Sequence, residues 1–239
     1  MAVVSEPASE PDDPGAGGWA AVPATGRPRS ARGRRASRPS GDDRELAILT
    51  TAERLLGERS LREISTDDLA RGAGISRPTF YFYFRSKEEV LLALLDRTAQ
   101  EADAVSQRVL AEHAEDPTLA WRKSIGAFYE TFREHKAVAV AGADARSTNT
   151  EIRALWTTMM ESWADRVAEV ITAERQRGAA PPGLPARDLA IALNCMNERV
   201  LHGTFAGYEP SIPEQDVVEV LLDVWLAAIY HGPTPLESC

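Results

Sequence analysis

Arg77, Tyr81 and Tyr83 stand in the run GISRPTFYFYF at residues 74–84, where five aromatics follow Arg-Pro-Thr. An arginine can read guanine O6 and N7 through two parallel hydrogen bonds, and a prolyl ring can pack on a thymine methyl. Phenol hydroxyls can reach phosphates or base edges. A second group lies downstream. Trp121, Phe128 and Phe132 recur at i, i+7, i+11; Trp156, Met160 and Trp163 recur at i, i+4, i+7; Trp225 follows near the end. Asn194 and Asn197 stand at i, i+3 in the apolar run DLAIALNCMNERVL. An unsatisfied buried amide is unfavourable by about 1–3 kcal/mol, so these two require partners. Either they pair across a helix interface, or a bound molecule with a polar group meets them. The aromatic stripes are likewise open to two readings, core packing or the wall of an apolar pocket.

Catalysis has no such foothold. His113, His135, His202 and His231 are scattered, and no His/Cys/Asp/Glu group has metal-ligand spacing. There is no GxSxG elbow, phosphate loop or dinucleotide fingerprint. The expectation is a non-enzyme with no catalytic residue, metal or cofactor. His202, two turns beyond Asn194, can project toward the same space, although a lone histidine is more often structural.

The elements that position these residues are helical. In DDRELAILTTAERLLG, Leu46, Leu49, Ala52, Leu55 and Leu56 share one face and Gly57 suits the end. STDDLARGAG opens on cap residues and closes on a glycine turn. A third helix begins at Ser76, with proline tolerated in its first turn. As a helix rather than a strand, the aromatic run puts Phe80 and Phe84 at i, i+4, facing the core between the first and fourth helices, and turns Tyr81 away. A fourth helix starts at Ser86 with Glu89 in a capping box and runs unbroken to about His113. Further helices are expected near 117–135, 137–147, 149–177, 186–206 and 214–230. This is an all-α chain of about nine helices, a small N-terminal helix-turn-helix bundle followed by a larger one.

Charge sorts along the same boundary. The chain of 239 residues has net charge −9, yet residues 25–90 carry fourteen bases against ten acids, and the remainder thirteen against twenty-six. Six arginines fall within residues 25–40, so the acidic total does not exclude an anionic partner at that end. Residues 1–40 are rich in Pro, Gly, Ser and Arg and poor in large apolar side chains, the composition of a disordered tail. No stretch is long and apolar enough for a membrane span, and the acidic N-terminus lacks the features of a signal peptide. Two cysteines, Cys195 and Cys239, read as plain thiols of a reducing, cytoplasmic compartment.

The stretch ISTDDLARGAGISRPTFYFYFRSKEEVLLALL resembles the DNA-binding domain of TetR-type transcriptional repressors. The likeness lies in the Ala-Gly-hydrophobe-Ser turn, then Thr-x-Tyr-x-x-Phe, a polar step and Lys. It implies that Arg77, Pro78 and Tyr81 face bases while Thr66, Thr79, Tyr83 and Lys87 hold phosphates. Tyr83 stands where many members carry histidine. Arg34, Arg35 and Arg38 then form an arm adding electrostatic affinity. RRASRPSGDDRELAILTTAERLL and ALNCMNER resemble one branch of that family, whose members have a long aromatic ligand channel and control a monooxygenase gene. That likeness implies a channel lined by Trp121, Phe128, Phe132, Trp156, Met160 and Trp163, with Trp225 beyond them. Asn197 would be its main hydrogen-bonding group and Asn194 a second. Arg166, Val167 and His202 depart from the branch pattern.

The expected organisation is a tail at 1–40 with an Arg-rich arm at 25–40, and a helix-turn-helix domain at 41–86. A ligand-binding and dimerisation domain at 87–232 and a tail at 233–239 complete it. The expected partners are a pseudo-palindromic double-stranded DNA operator, a lipophilic effector, and a second copy docked through the last two helices, with no membrane. DVVEVLLDVWLAAIY is apolar on more than one face, as such an interface requires. Two rival readings are a lipophilic-ligand-binding protein without sequence-specific DNA function, and an architectural DNA binder without an effector.

Overall fold

The computed structural model describes residues 40–113 and 115–231; Arg34, Arg35, Arg38 and the C-terminal tail lie outside them. Among the described residues the fold is all-α, with nine α-helices and two single turns of 3-10 helix. In order they are α1 (Gly41–Leu56), α2 (Thr66–Gly72), α3 (Arg77–Tyr83), α4 (Lys87–Glu112) and α5 (Pro117–Glu134). They continue as α6 (Lys136–Ala145), α7 (Thr150–Gln176), α8 (Ala186–Ala206) and α9 (Val217–Tyr230).

Helix starts are written locally. Ser40, Ser65, Ser76, Ser86, Asp116 and Asn149 each accept the N3 amide of α1, α2, α3, α4, α5 and α7 respectively. Each cap satisfies one of the amides that a helix start leaves without a partner. Reciprocal capping boxes close at Ser40 with Asp43 and at Ser65 with Asp68. The box expected at Ser86 is only half formed. Ser86 accepts from the Glu89 amide at 3.1 Å, but the Glu89 carboxylate reaches past it to the Arg85 amide at 2.5 Å. The Arg85 guanidinium holds the same carboxylate at 3.2 Å, which draws it one residue back.

Two apolar cores result. The first gathers Ile48, Leu49, Ala52 and Leu55 of α1 with Leu69, Phe80 and Phe84, and takes Val90, Leu91, Leu94 and Leu95 from α4. Phe80 is fully buried and Phe84 nearly so, as their spacing required. Leu46, expected on that face, is exposed, and Ile48 occupies the core instead. Relative to Ile48 the buried positions fall at i+1, i+4 and i+7, and Leu46 lies two residues back, on the far side of the helix. The second core joins α5, α7, α8 and α9 through Trp121, Ile125, Phe132, Ile171, Leu193, Leu221 and Trp225.

The first core does not stop at residue 86. Val138 of α6 and Ile152 of α7 are buried in it, so the helix-turn-helix rests on the ligand-side helices. The approach of α6 to α4 is close. A Cβ added at Gly142 would stand 2.5 Å from Leu95 Cδ2, a distance only glycine avoids. Helix α4 serves both cores. Its first turns hold Val90 to Leu95 in the first, and Ala102 belongs to the second.

Candidate DNA interface and ligand channel

Helices α2 and α3 are joined by Ala73–Ser76, and Gly74 takes φ of 67° there. That left-handed conformation is readily available to glycine and disfavoured for other residues. It sets the short α3 across α2 in helix-turn-helix order. Between the two helices runs a polar chain. Thr66 Oγ1 lies 3.3 Å from the Tyr81 hydroxyl, the Arg77 guanidinium donates to that hydroxyl at 3.3 Å, and Asp67 pairs with Arg77 at 3.3 Å. The Arg77 side chain also lies over the Tyr81 ring, 5.7 Å from its centroid. Hydrogen bonds from Thr66 and Arg77 lower the Tyr81 phenol below its ordinary range, and the same Tyr81 bond raises Arg77. An arginine held this way is partly ordered within the chain.

Pro78 is exposed beside them, and Thr79 is half-buried with its hydroxyl 2.8 Å from that of Ser76. Tyr83 is half-buried at the end of α3, against the first core. Lys87, also expected at a phosphate, is engaged within the chain. Its ammonium donates to the carbonyls of Leu61, Ile64 and Arg62 at 2.7, 2.8 and 3.2 Å, so its three protons are directed at the loop before α2. Sequence reasoning missed Phe82, which is 83% exposed between the two tyrosines. A large apolar side chain left in water on this face was foreseeable from its being two residues from both Phe80 and Phe84 on a helix. All nine residues expected to line a channel do border one of two adjoining chambers.

Chamber one lies among α5, α6, α7 and α8 and is bordered by Phe128, Phe132, Trp156, Met160, Trp163, Asn194 and Asn197. Chamber two lies among α4, α5, α7, α8 and α9 and is bordered by Trp121, Trp225 and again Phe128, Trp163, Asn194 and Asn197. Phe128 and Trp163 meet edge to face with centroids 5.0 Å apart and form the partition. The cavities are about 40 and 70 Å³, room for a few waters each.

The two asparagines do not pair with each other. Trp225 Nε1 donates to Asn197 Oδ1 at 3.0 Å in a buried contact. Asn194 Nδ2 is buried without a hydrogen-bond partner among the described residues. Chamber two is also bounded by Asp103, Ser106 and Gln107, so α4 forms part of its wall. Arg166 pairs with Asp103 and ties α7 to α4, while Val167 is half-buried beside it. Ala139, Val140 and Ala143 of α6 and Glu198, Leu201 and Phe205 of α8 also border chamber one and were not foreseen, and His202 borders it too. Small residues in the sequence AVAVAGA carry no chemical signature of a pocket wall.

A helix-turn-helix carried on an all-helical body with aromatic-walled internal chambers is the architecture of a class of protein, the DNA-binding transcriptional regulators. Residues 48–94 match the model of bacterial regulatory proteins of the tetR family, and residues 121–231 match the C-terminal domain of the transcriptional regulator EthR. The chain belongs to the TetR family of transcriptional regulators, and its C-terminal part is of the EthR type. It is 58% identical over 200 residues to the HTH-type transcriptional regulator EthR of Mycobacterium tuberculosis, covering 83% of this chain and 93% of that one. It is 49% identical to the EthR of Mycolicibacterium smegmatis over 88% of this chain and 96% of that one. Among solved structures, the TetR-family repressor FadR of Thermus thermophilus, in complex with lauroyl-CoA, superposes with a TM-score of 0.58 at 20% identity. That alignment covers 82% of this chain and all of the other. The relatives are named as transcriptional regulators, not enzymes. No helix among the described residues is long and apolar enough to cross a membrane.

Proposed function

We propose that the protein is a repressor that binds a pseudo-palindromic operator as a homodimer and leaves it when a lipophilic effector fills the aromatic channel. The observation that carries this reading is the span of α4. Its first turns are core of the DNA-binding domain, and its later turns wall chamber two. Opening the partition between Phe128 and Trp163 shifts the helices against which α4 packs, and α4 carries the helix-turn-helix with it. The DNA-competent dimer holds its two α3 helices about 34–36 Å apart, one turn of the duplex. To move the population from 1:99 to 99:1, the effector must favour the released state by about 5.5 kcal/mol.

Arg77, Pro78 and Tyr81 are the base-facing groups in this reading, with Thr66, Thr79 and Tyr83 on phosphates and the arm of Arg34, Arg35 and Arg38 adding affinity. Lys87 acts by fixing the loop before α2 rather than by holding a phosphate directly. The branch resemblance read in the sequence implies a monooxygenase gene as the target, and the lauroyl-CoA complex of the FadR neighbour is in keeping with a lipophilic effector. Dimerisation through α8 and α9 is supported by Ile191 on α8 and by Val220 and Val224 on α9, apolar side chains that are 36–41% exposed.

The test is binding to DNA upstream of the protein's own gene and its neighbours, with scrambled competitor and a salt series. Expected is binding that survives competitor and protects a two-fold site. Arg77→Ala should lose roughly 1–3 kcal/mol and relax selectivity at one base step. Binding that disappears with competitor, and with equal loss for Arg77→Ala on every sequence, would reduce the DNA contact to non-specific electrostatics. The aromatic channel would then be the main function.

A further inference from the structure

Four buried side-chain nitrogens have no hydrogen-bond partner among the described residues: Arg59 Nε, Arg175 Nε, Asn194 Nδ2 and His202 Nε2. The two arginines are anchored through their other nitrogens, Arg59 to Asp68 and Arg175 to the Leu184 carbonyl. Asn194 and His202 both border chamber one. A buried polar atom without a partner is unfavourable in the closed protein and becomes a recognition group when a ligand supplies the missing bond. Two such atoms in one cavity specify two polar points on its occupant.

We infer that the effector is an elongated, uncharged molecule with two hydrogen-bonding groups, a carbonyl received by Asn194 and a hydroxyl received by His202. The inference rests on the aromatic channel being a ligand site, as proposed above. Both residues lie on α8, eight positions apart, so their anchors are separated by about 12 Å along the helix. The rest of the wall is mostly apolar, with side chains such as Phe132, Val140, Ala143 and Met160, although Asn197 and Glu198 stand between the two anchors on α8. The occupant is therefore mostly hydrocarbon. Asn197 stands one turn away and, because Trp225 engages only its side-chain oxygen, its amide nitrogen can donate to the same carbonyl.

Charge sets the remaining constraint. Glu198 also borders this chamber, and it is already paired with Arg146 at 2.9 Å. Arg146 in turn lies over the Trp156 ring, 5.1 Å from its centroid. An anionic end group beside His202 would face the Glu198 carboxylate or have to break that pair. A hydroxyl does neither, and it can donate to or accept from the imidazole, matching either tautomer. The His202 ring is held edge to face by Tyr208, with centroids 5.5 Å apart, so the anchor is positioned before the ligand arrives.

The experiment titrates the intact protein with ω-hydroxydecanamide, decanamide and decanoic acid, reading heat of binding and tryptophan fluorescence. Expected for the unmodified protein is a dissociation constant about three- to tenfold lower for the hydroxyamide than for decanamide, as one added hydrogen bond gives. Decanoic acid should bind weakest. His202→Phe should bring the ratio of the two amides to about one, and His202→Leu should do the same if the phenylalanine variant misfolds by circular dichroism. A ratio that persists in a folded variant overturns the role of His202, as does tighter binding of the acid. Equal binding of both amides to the unmodified protein refutes this inference alone. Binding of neither refutes the channel as a ligand site, and the inference with it.

Discussion

Asn194 and Asn197 are one helical turn apart on α8 and are in opposite hydrogen-bonding situations. Asn197 is 9% exposed and accepts from the indole of Trp225, so Asn197→Ala leaves that N–H buried and unpaired. The expected loss is about 1–3 kcal/mol. For a body of this size that is roughly 2–4 °C of melting temperature per kcal/mol. Asn194→Ala removes an amide nitrogen with no partner, so its melting temperature should stay within about 2 °C while effector response falls. Differential scanning calorimetry of the two variants decides the matter, and equal melting temperatures would remove Asn197 from the fold's support. The spacing in the sequence marked both asparagines as needing partners but not which one had a partner inside the chain. That depends on Trp225, 28 positions away, and no local period reports such a distance. The aromatic wall was legible because large rings at helical spacing are conspicuous. Phe82 was passed over because its surroundings matched core residues on either side.

At the scale of elements, helix starts were legible because serine, aspartate and asparagine announce themselves, whereas the packing of α6 on α4 was not. In the sequence Gly142 simply falls inside the helix expected near 137–147. In the fold it is the point where α6 comes close enough to Leu95 that Cγ would stand 3.2 Å from an added Cβ, and both Cδ atoms nearer. Leu95 is itself 2% exposed and has little room to retreat. Gly142→Ala should therefore destabilise by about 1–3 kcal/mol through overpacking, despite alanine's better helix propensity. A stabilised variant in urea unfolding would show that the two helices can separate freely. The caps give a second expectation. Hydrogen bonds from Ser40, Ser60 and Ser65 hold the carboxyls of Asp43, Glu63 and Asp68 below their ordinary range. The unfolded chain binds those protons near pH 4, at a higher pH than the folded one. Their contribution is thus complete above about pH 5 and declines as pH falls through the lowered folded values. All three lie in or beside α1 and α2, so acid should loosen the helix-turn-helix. Circular dichroism from pH 7 to pH 3 should show that loss reduced in Asp68→Asn.

At the scale of the whole molecule, the feature that joins the two cores also explains why the sequence divides more cleanly than the fold. Charge and cap signals change near residue 86, yet Val138 and Ile152 close the first core from the ligand side. What the two cores leave uncovered is the outer face of α8 and α9. Leu221, Leu222, Trp225 and Ile229 of α9 point inward, while Val220 and Val224, one turn apart, are 41% and 40% exposed. Ile191 on α8 adds to the same kind of surface. A two-fold interface built on these residues places each valine near an equivalent apolar surface of the second copy. Replacing both valines by glutamate should leave the single chain folded, since neither side chain supports its core. It would bring like charges together across the interface, a penalty of several kcal/mol. Sedimentation velocity at micromolar concentration should then find a monomer with unaltered helical content. Operator affinity should fall with it, because each half-site would be bound by an independent chain rather than by one linked pair. A double variant that still sediments as a dimer would place the interface elsewhere on the molecule. A monomer that binds the operator undiminished would instead break the link between pairing and DNA recognition.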